Sequence, residues 1–373
     1  MKVTASTPSR ICLFGEHQDY LGLEVIASAI DLRFSAEAED RPGHILSIDI
    51  RDSSISELGQ KNVNGLYQHY EIDLSRPIAF EHKRDYFKSV VKQLQKHGCT
   101  PSGAHIRLDS EIPIGKGMCS STTMVLVMSA ALAKLWGCPE ADDPIAMAEL
   151  AWDAEVGEFG EPGGRMDHYA SALGGLAHMD FRDGKTAVER LPAMPSGCFI
   201  LFDSLEPKDT LDVLSKSKYP TLEGIKQLAA YGVTSIRDFY EHPEYEELVG
   251  KLDGEHARKV RANISNYRIQ REALAMLSSG VIDDARLGEL LNRHQANLRD
   301  GLGISTPTID RIIETAISNG AYGGKFNGSG GGGCLYVYAD ADKARTVIDS
   351  VAVMGFPGAI LHTVPGLRSE ISG

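Results

Sequence analysis

Apolar positions give the first outline of the chain. Residues 22–38, GLEVIASAIDLRFSAEA, mix β-branched residues with partial alternation and predict a strand. In RDYFKSVVKQLQKHG, Tyr86, Phe87, Val90, Val91 and Leu94 recur at helical spacing, and Gly98 followed by Pro101 ends that helix. GAHIRLDSEIP reads as a strand leading into the loop IPIGKG. Beyond it Met124, Met128, Ala131, Leu132 and Leu135 share one helical face, closed by Gly137 and Pro139. A second helix, DPIAMAELAWDAEVG, precedes the loop-rich EFGEPGGRMDHYASALGGLAHMDF. After LPAMPSG comes a strand, CFILFDS. Helical patterns then cover 222–240, 255–278 and 284–299, and TPTIDRIIETAISNG adds another. AYGGKFNGSGGGGCLYVYAD reads as strand, glycine loop, strand. Strands and helices mix in both halves, so the class is α/β or α+β.

The two prolines and the glycine of LPAMPSG place a domain boundary there, giving domains over 1–195 and 196–373. A chain of 373 residues is long for a single core, which agrees with two domains. No run approaches the ~20 apolar residues of a membrane span. MKVTASTPSRICLF lacks a secretory apolar region, so a cytoplasmic location without membrane partners is expected. With 51 acidic against 38 basic residues the net charge is -13, which argues against nucleic acid as a partner and leaves room for a local basic pocket. The six cysteines, Cys12, Cys99, Cys119, Cys138, Cys198 and Cys334, show no zinc spacing and read as reduced, mostly buried thiols.

Candidate chemistry gathers in four stretches. In PIGKGMCSSTT a glycine turn with a serine cap would explain Gly115 and Gly117. Ser120, Ser121, Thr122 and Thr123 exceed what one cap needs. A helix start carries roughly half a positive charge and free amides, which suits a polyphosphate. No Walker A spacing is present. GSGGGG at 328–333 precedes a strand, not the helix a dinucleotide fold needs, and its glycines would let backbone pass close to the first loop. SRICLFGEHQDYLG clusters Arg10, Glu16, His17 and Asp19, a set of donors and acceptors suited to a polyhydroxylated ligand or, equally, a solvated turn. Asp167 in EPGGRMDHYASALGG, and Glu155 before it, are unremarkable alone.

Together and in this order, these stretches resemble the small-molecule kinases of the galactokinase, homoserine kinase, mevalonate kinase and phosphomevalonate kinase (GHMP) superfamily. PIGKGMCSST resembles its phosphate motif, KFNGSGGGGC its C-terminal glycine motif, SRICLFGEHQDY its N-terminal signature, and GRMDHYASALGG the stretch carrying its catalytic aspartate. The branch looks galactokinase-like because of Arg10 and the Asp19–Tyr20 pair. The resemblance implies an α+β fold of two domains: an N-terminal one containing a βαβ unit and a C-terminal ferredoxin-like sandwich, with the active site between them. It implies an ATP- and Mg2+-dependent sugar kinase acting on the anomeric hydroxyl of galactose, a related sugar or a uronic acid. Asp167 and Arg10 would be catalytic. Gly115, Gly117, Ser120, Ser121 and Gly330 would bind ATP, and Ser121 with Glu155 would hold Mg2+. Glu16, His17, Asp19 and Tyr219 would bind the sugar. A mevalonate-type kinase and a silent sugar-binding regulator are the alternatives. The oligomeric state stays open. Cys119, Asn327, Leu21, Arg165 and His168 depart from the family pattern. Arg165 could meet a substrate carboxylate or phosphate, or bridge to Glu161 or Glu158.

Overall fold

The computed structural model describes residues 1–52, 68–192, 195–208 and 210–372. Ala193 and Met194, within the expected boundary stretch, lie outside the described residues. A large sheet runs in the order β12-β1-β2-β5-β3-β4, with β6 beside β2 and β7 beside β6. Its strands are β1 (Lys2–Phe14), β2 (Val25–Asp40), β3 (Ile45–Asp52), β4 (Gln68–Asp73), β5 (Ala104–Ser110), β6 (Leu176–Asp180), β7 (Ala187–Arg190) and β12 (Arg368–Ser372). β3 and β5 pair in parallel around helix α1 (Tyr86–Lys96), and the other pairings are antiparallel.

Strand β1 changes character along its length. Burial alternates over Lys2–Ser6, as one covered face requires, and becomes continuous from Thr7 to Phe14. There α2 (Ser120–Leu135) covers one side, while the second sheet reaches the strand through the Tyr336 hydroxyl, which donates to Cys12 O at 2.7 Å. Arg10 sits in this doubly covered stretch. Helix α2 is buried on nearly every side, between β1, β2 and α3 (Pro144–Trp152), and not along one face as its spacing suggested. Just past the C-terminal ends of α1 and α2, Cys99 and Cys138 are joined in a disulfide, their Cα atoms 5.0 Å apart. This corrects the expectation of six thiols. The pairing comes from helices packing side by side, which the spacing of cysteines along the chain does not encode.

The second sheet has the order β11-β8-β10-β9 and is antiparallel throughout: β8 (Cys198–Asp203), β9 (Ala321–Phe326), β10 (Cys334–Ala339) and β11 (Gly358–Leu361). Helices α5 (Thr210–Leu228), α6 (Gly254–Ser278), α7 (Asp284–Ala296), α8 (Pro307–Ser318) and α9 (Ala344–Ala352) complete this part. The helix expected over 222–240 begins earlier and stops at Leu228. Gly232 then takes φ +89°, and Asp238 accepts amide hydrogens from Thr234 and Ser235 at 2.6 and 3.0 Å, starting a separate turn. The pattern misled because Ile225, Leu228, Ile236 and Phe239 all enter one apolar cluster. The last strand returns to the first sheet, with Lys2 opposite Ser372 and Ser6 opposite Arg368. On the way, Leu367 N donates to Ala172 O at 3.0 Å, and a Cβ on Gly174 would stand 1.9 Å from Gly366 N.

Candidate active site

A cleft of about 350 Å3 opens where β1, the glycine loop before α2 and the second glycine loop converge. Arg10 enters from β1, almost wholly buried. Its Nε donates to Asp167 Oδ1 at 2.7 Å and its Nη1 to Gly117 O at 3.0 Å. Burial works against this guanidinium's charge, but Asp167 foremost, then Cys119 and Glu16, outweigh it and raise its pKa. Asp167 lies in the first turn of α4 (Met166–Leu173), where the helix dipole favours a carboxylate.

The turn after β1 carries the next three groups. Gly15 takes φ +94°, and a Cβ there would meet Glu24 O at 2.6 Å, so the chain can turn here only without a side chain. His17 follows at φ +63°. Its Nε2 donates to Ser329 O at 2.9 Å, and its Nδ1 faces the Tyr20 hydroxyl at 2.7 Å. Burial brings the imidazole pKa down to about 4, so the ring is neutral at pH 7. Asp19 accepts the Met166 amide at 3.2 Å; burial and then the charge of Asp167 push its pKa up to about 6. Glu16 lines the cleft yet is engaged at both oxygens, by Lys325 Nζ and by Gly328 N at 2.5 Å.

The two glycine segments touch backbone to backbone. A Cβ on Gly117 would meet Asn327 O at 2.4 Å, and one on Gly333 would meet Lys116 O at 2.5 Å. Asn327 accepts Cys12 N at 3.0 Å and donates to Gly117 O at 3.0 Å, stitching β1 to the first loop. The expected serine cap is not formed. Cys119 holds the N-cap position at φ +49° with no side-chain cap, so no capping side chain occupies the first-turn amides of α2. The Ser120 and Ser121 hydroxyls line the cleft. Glu155 sits on a π-helical turn, Asp153–Gly157, and accepts Thr122 Oγ1 at 2.7 Å and His168 Nε2 at 2.9 Å. Burial alone would raise its pKa; His168, Ser121 and Thr122 outweigh it and keep it below the usual value.

Against known families, residues 85–175 match the GHMP kinases N terminal domain, residues 272–354 the GHMP kinases C terminal domain, and residues 2–38 the galactokinase galactose-binding signature. The chain belongs to the GHMP kinase family. This GHMP kinase is therefore an ATP-dependent phosphotransferase. It is 27% identical to a mevalonate kinase of Thermococcus onnurineus over 99% of both chains. It is also 27% identical to a galactokinase of Mannheimia succiniciproducens, over 92% of this chain and 87% of that one. The fold is that of Lactococcus lactis galactokinase complexed with galactose, with a TM-score of 0.82 and 21% identity over 98% of this chain and 95% of the other.

Of the residues singled out from sequence, this GHMP kinase gathers Arg10, Glu16, His17, Asp19, Gly115, Gly117, Ser120, Ser121, Glu155 and Asp167 around one cleft. Gly330 is not among them: it packs behind the loop, where a Cβ would meet Ile304 O at 2.4 Å. Tyr219 points outward on α5, 54% exposed. Arg165 reaches neither Glu161 nor Glu158. Its Nη1 donates to both Glu149 oxygens, at 2.9 and 2.7 Å, and its guanidinium stacks 4.0 Å over Trp152. Leu21 packs into the apolar cluster around Phe239, away from the cleft. Thr122, one of the four hydroxyl residues noted after the first glycine loop, also lines the cleft, whereas Lys208 lines it and was missed. Lys208, in the segment LEPKD, follows no periodic pattern that would mark it.

Proposed function

We propose that this GHMP kinase phosphorylates a monosaccharide at its anomeric hydroxyl, with galactose or a related sugar or uronic acid as acceptor. The observation that carries the reading is the Arg10–Asp167 pair, 2.7 Å apart at the cleft and set beside a turn that lies within the galactose-binding signature. Asp167 Oδ1 is engaged by Arg10, which leaves Oδ2 to accept the acceptor's hydroxyl proton. The acceptor oxygen forms a bond to the γ-phosphorus as the bond to the bridging β–γ oxygen breaks, and ADP departs. Arg10 balances charge on the transferring group. Asp19 orients a sugar hydroxyl, while His17, bonded to Ser329 O and the Tyr20 hydroxyl, and Glu16 hold the second glycine loop against the sugar turn. The uncapped start of α2 cradles the phosphates.

Glu155 and the Ser121 hydroxyl offer hard oxygen donors that fit Mg2+, which takes one or two carboxylates and completes its shell with phosphates and water. Bound there, the ion would neutralise phosphate charge. His168, donating to Glu155, orients that carboxylate.

The test is ADP release with MgATP against neutral sugars, uronic acids and mevalonate. Sugar-dependent turnover is expected, and Asp167→Ala should lower kcat by about a hundredfold or more. The similarity to a mevalonate kinase across both whole chains favours mevalonate as the second reading. Turnover with mevalonate and with no sugar would replace the first reading by the second. Sugar binding without ADP release would make the protein a regulator.

A further inference from the structure

Three cations line the cleft: Arg10, Arg84 and Lys208. Lys208 follows β8, and its Nζ donates to Ser329 Oγ at 2.9 Å while lying 2.8 Å from where a Cβ on Gly117 would stand. It thus touches both glycine loops. Arg10 is balanced by Asp167 and Arg84 by Glu161, but among the described residues no carboxylate forms an ion pair with Lys208. A cation withdrawn from water without an anion is a standing cost that an incoming anion relieves. Burial, and then the positive charge of Arg10, bring its pKa down to about 8, although Cys334, Glu16 and Asp167 pull the other way.

We infer that Lys208 is a catalytic residue that grips the γ-phosphoryl group of ATP beside Arg10 and lets the site tell ATP from ADP. It reaches the phosphate loop from the second sheet, whereas Arg10 comes from the first, so the transferring group is held from two sides. The inference rests on the cleft being the transfer site, and not on which acceptor is used.

The experiment is calorimetric titration with the Mg2+ complexes of ADP and of a non-hydrolysable ATP analogue, with no acceptor present. Lys208→Met should weaken the analogue by about tenfold or more, the scale of a lost charge-assisted hydrogen bond, and leave ADP unchanged. Lys208→Arg should retain the preference. The preference of the unmodified protein should fall as pH rises from about 7 to 9 and the ammonium loses its proton, whereas that of Lys208→Arg should not. Of the groups facing Lys208, Cys334 is pushed up to about 12 and Arg10 higher still, so neither titrates in that window. Equal weakening of ADP and analogue overturns the assignment, as does a loss of thermal stability with both affinities intact. Absence of any sugar turnover would overturn the acceptor reading while leaving this nucleotide discrimination in place.

Discussion

At the scale of single residues, the Asp19 side of the cleft depends on a missing methyl group. A Cβ on Gly164 would stand 1.8 Å from Asp19 Oδ2, so Gly164→Ala must displace that carboxylate. An acceptor KM raised by about tenfold to a hundredfold, with the ATP KM little changed, is expected in steady-state kinetics. Asp19 also makes stability depend on pH. Its pKa rises from 3.8 unfolded to about 6 folded, so the native state binds the proton more tightly and stability falls as pH rises between these values. Asp19→Asn should therefore melt higher than the unmodified protein at neutral pH and converge with it below the unfolded pKa, by calorimetry. Arg10, Asp167 and Asp19 were legible because motif order carried them, and Glu155 only through the family resemblance. The partners of Arg165 and the position of Lys208 were not, since each depends on side chains brought together only by folding.

Among the elements, α6 is fastened to the start of β2 by one buried carboxylate. Glu24 accepts Arg271 Nη1 at 2.7 Å, with Tyr267 Oη at 3.4 Å and Arg237 Nη2 at 3.7 Å. Burial opposes its charge, yet His178 and Arg271 bring its pKa from 4.5 down to about 2. That contribution is present above the unfolded value and is lost as pH falls through the folded one. Glu24→Ala should cost about 1 kcal/mol in urea unfolding at neutral pH, because the partly exposed Arg271 loses its partner while Arg237 keeps Asp180, and the deficit should shrink in acid. Helices α1 and α8 were readable from periodicity, since each meets a packing surface with a regular stripe. Helix α5 was not. Its apolar residues and those beyond Gly232 serve the same cluster, so periodicity ran across a break that backbone geometry imposes.

For the whole molecule, the Cys99–Cys138 disulfide predicts four titratable thiols in the unreduced denatured protein and six after reduction. Closing a loop of that length contributes up to about 4 kcal/mol, so Cys138→Ser should unfold at markedly lower urea concentration. No helix among the described residues is long and apolar enough to cross a membrane. The two-sheet plan was readable from motif order, whereas the return of β12 was not, because a short terminal strand has no signal naming its partner. That return has a mechanical consequence. The second passage of the chain between the sheets adds to the contacts already made by Glu16 with Lys325 and by Asn327 with Cys12 and Gly117. It passes under α4, where Leu367 grips Ala172 and Gly366 nests against Gly174, at the opposite end of the rod that bears Asp167. Any displacement of the second sheet that reaches this passage is therefore felt by the helix whose first turn carries Asp167.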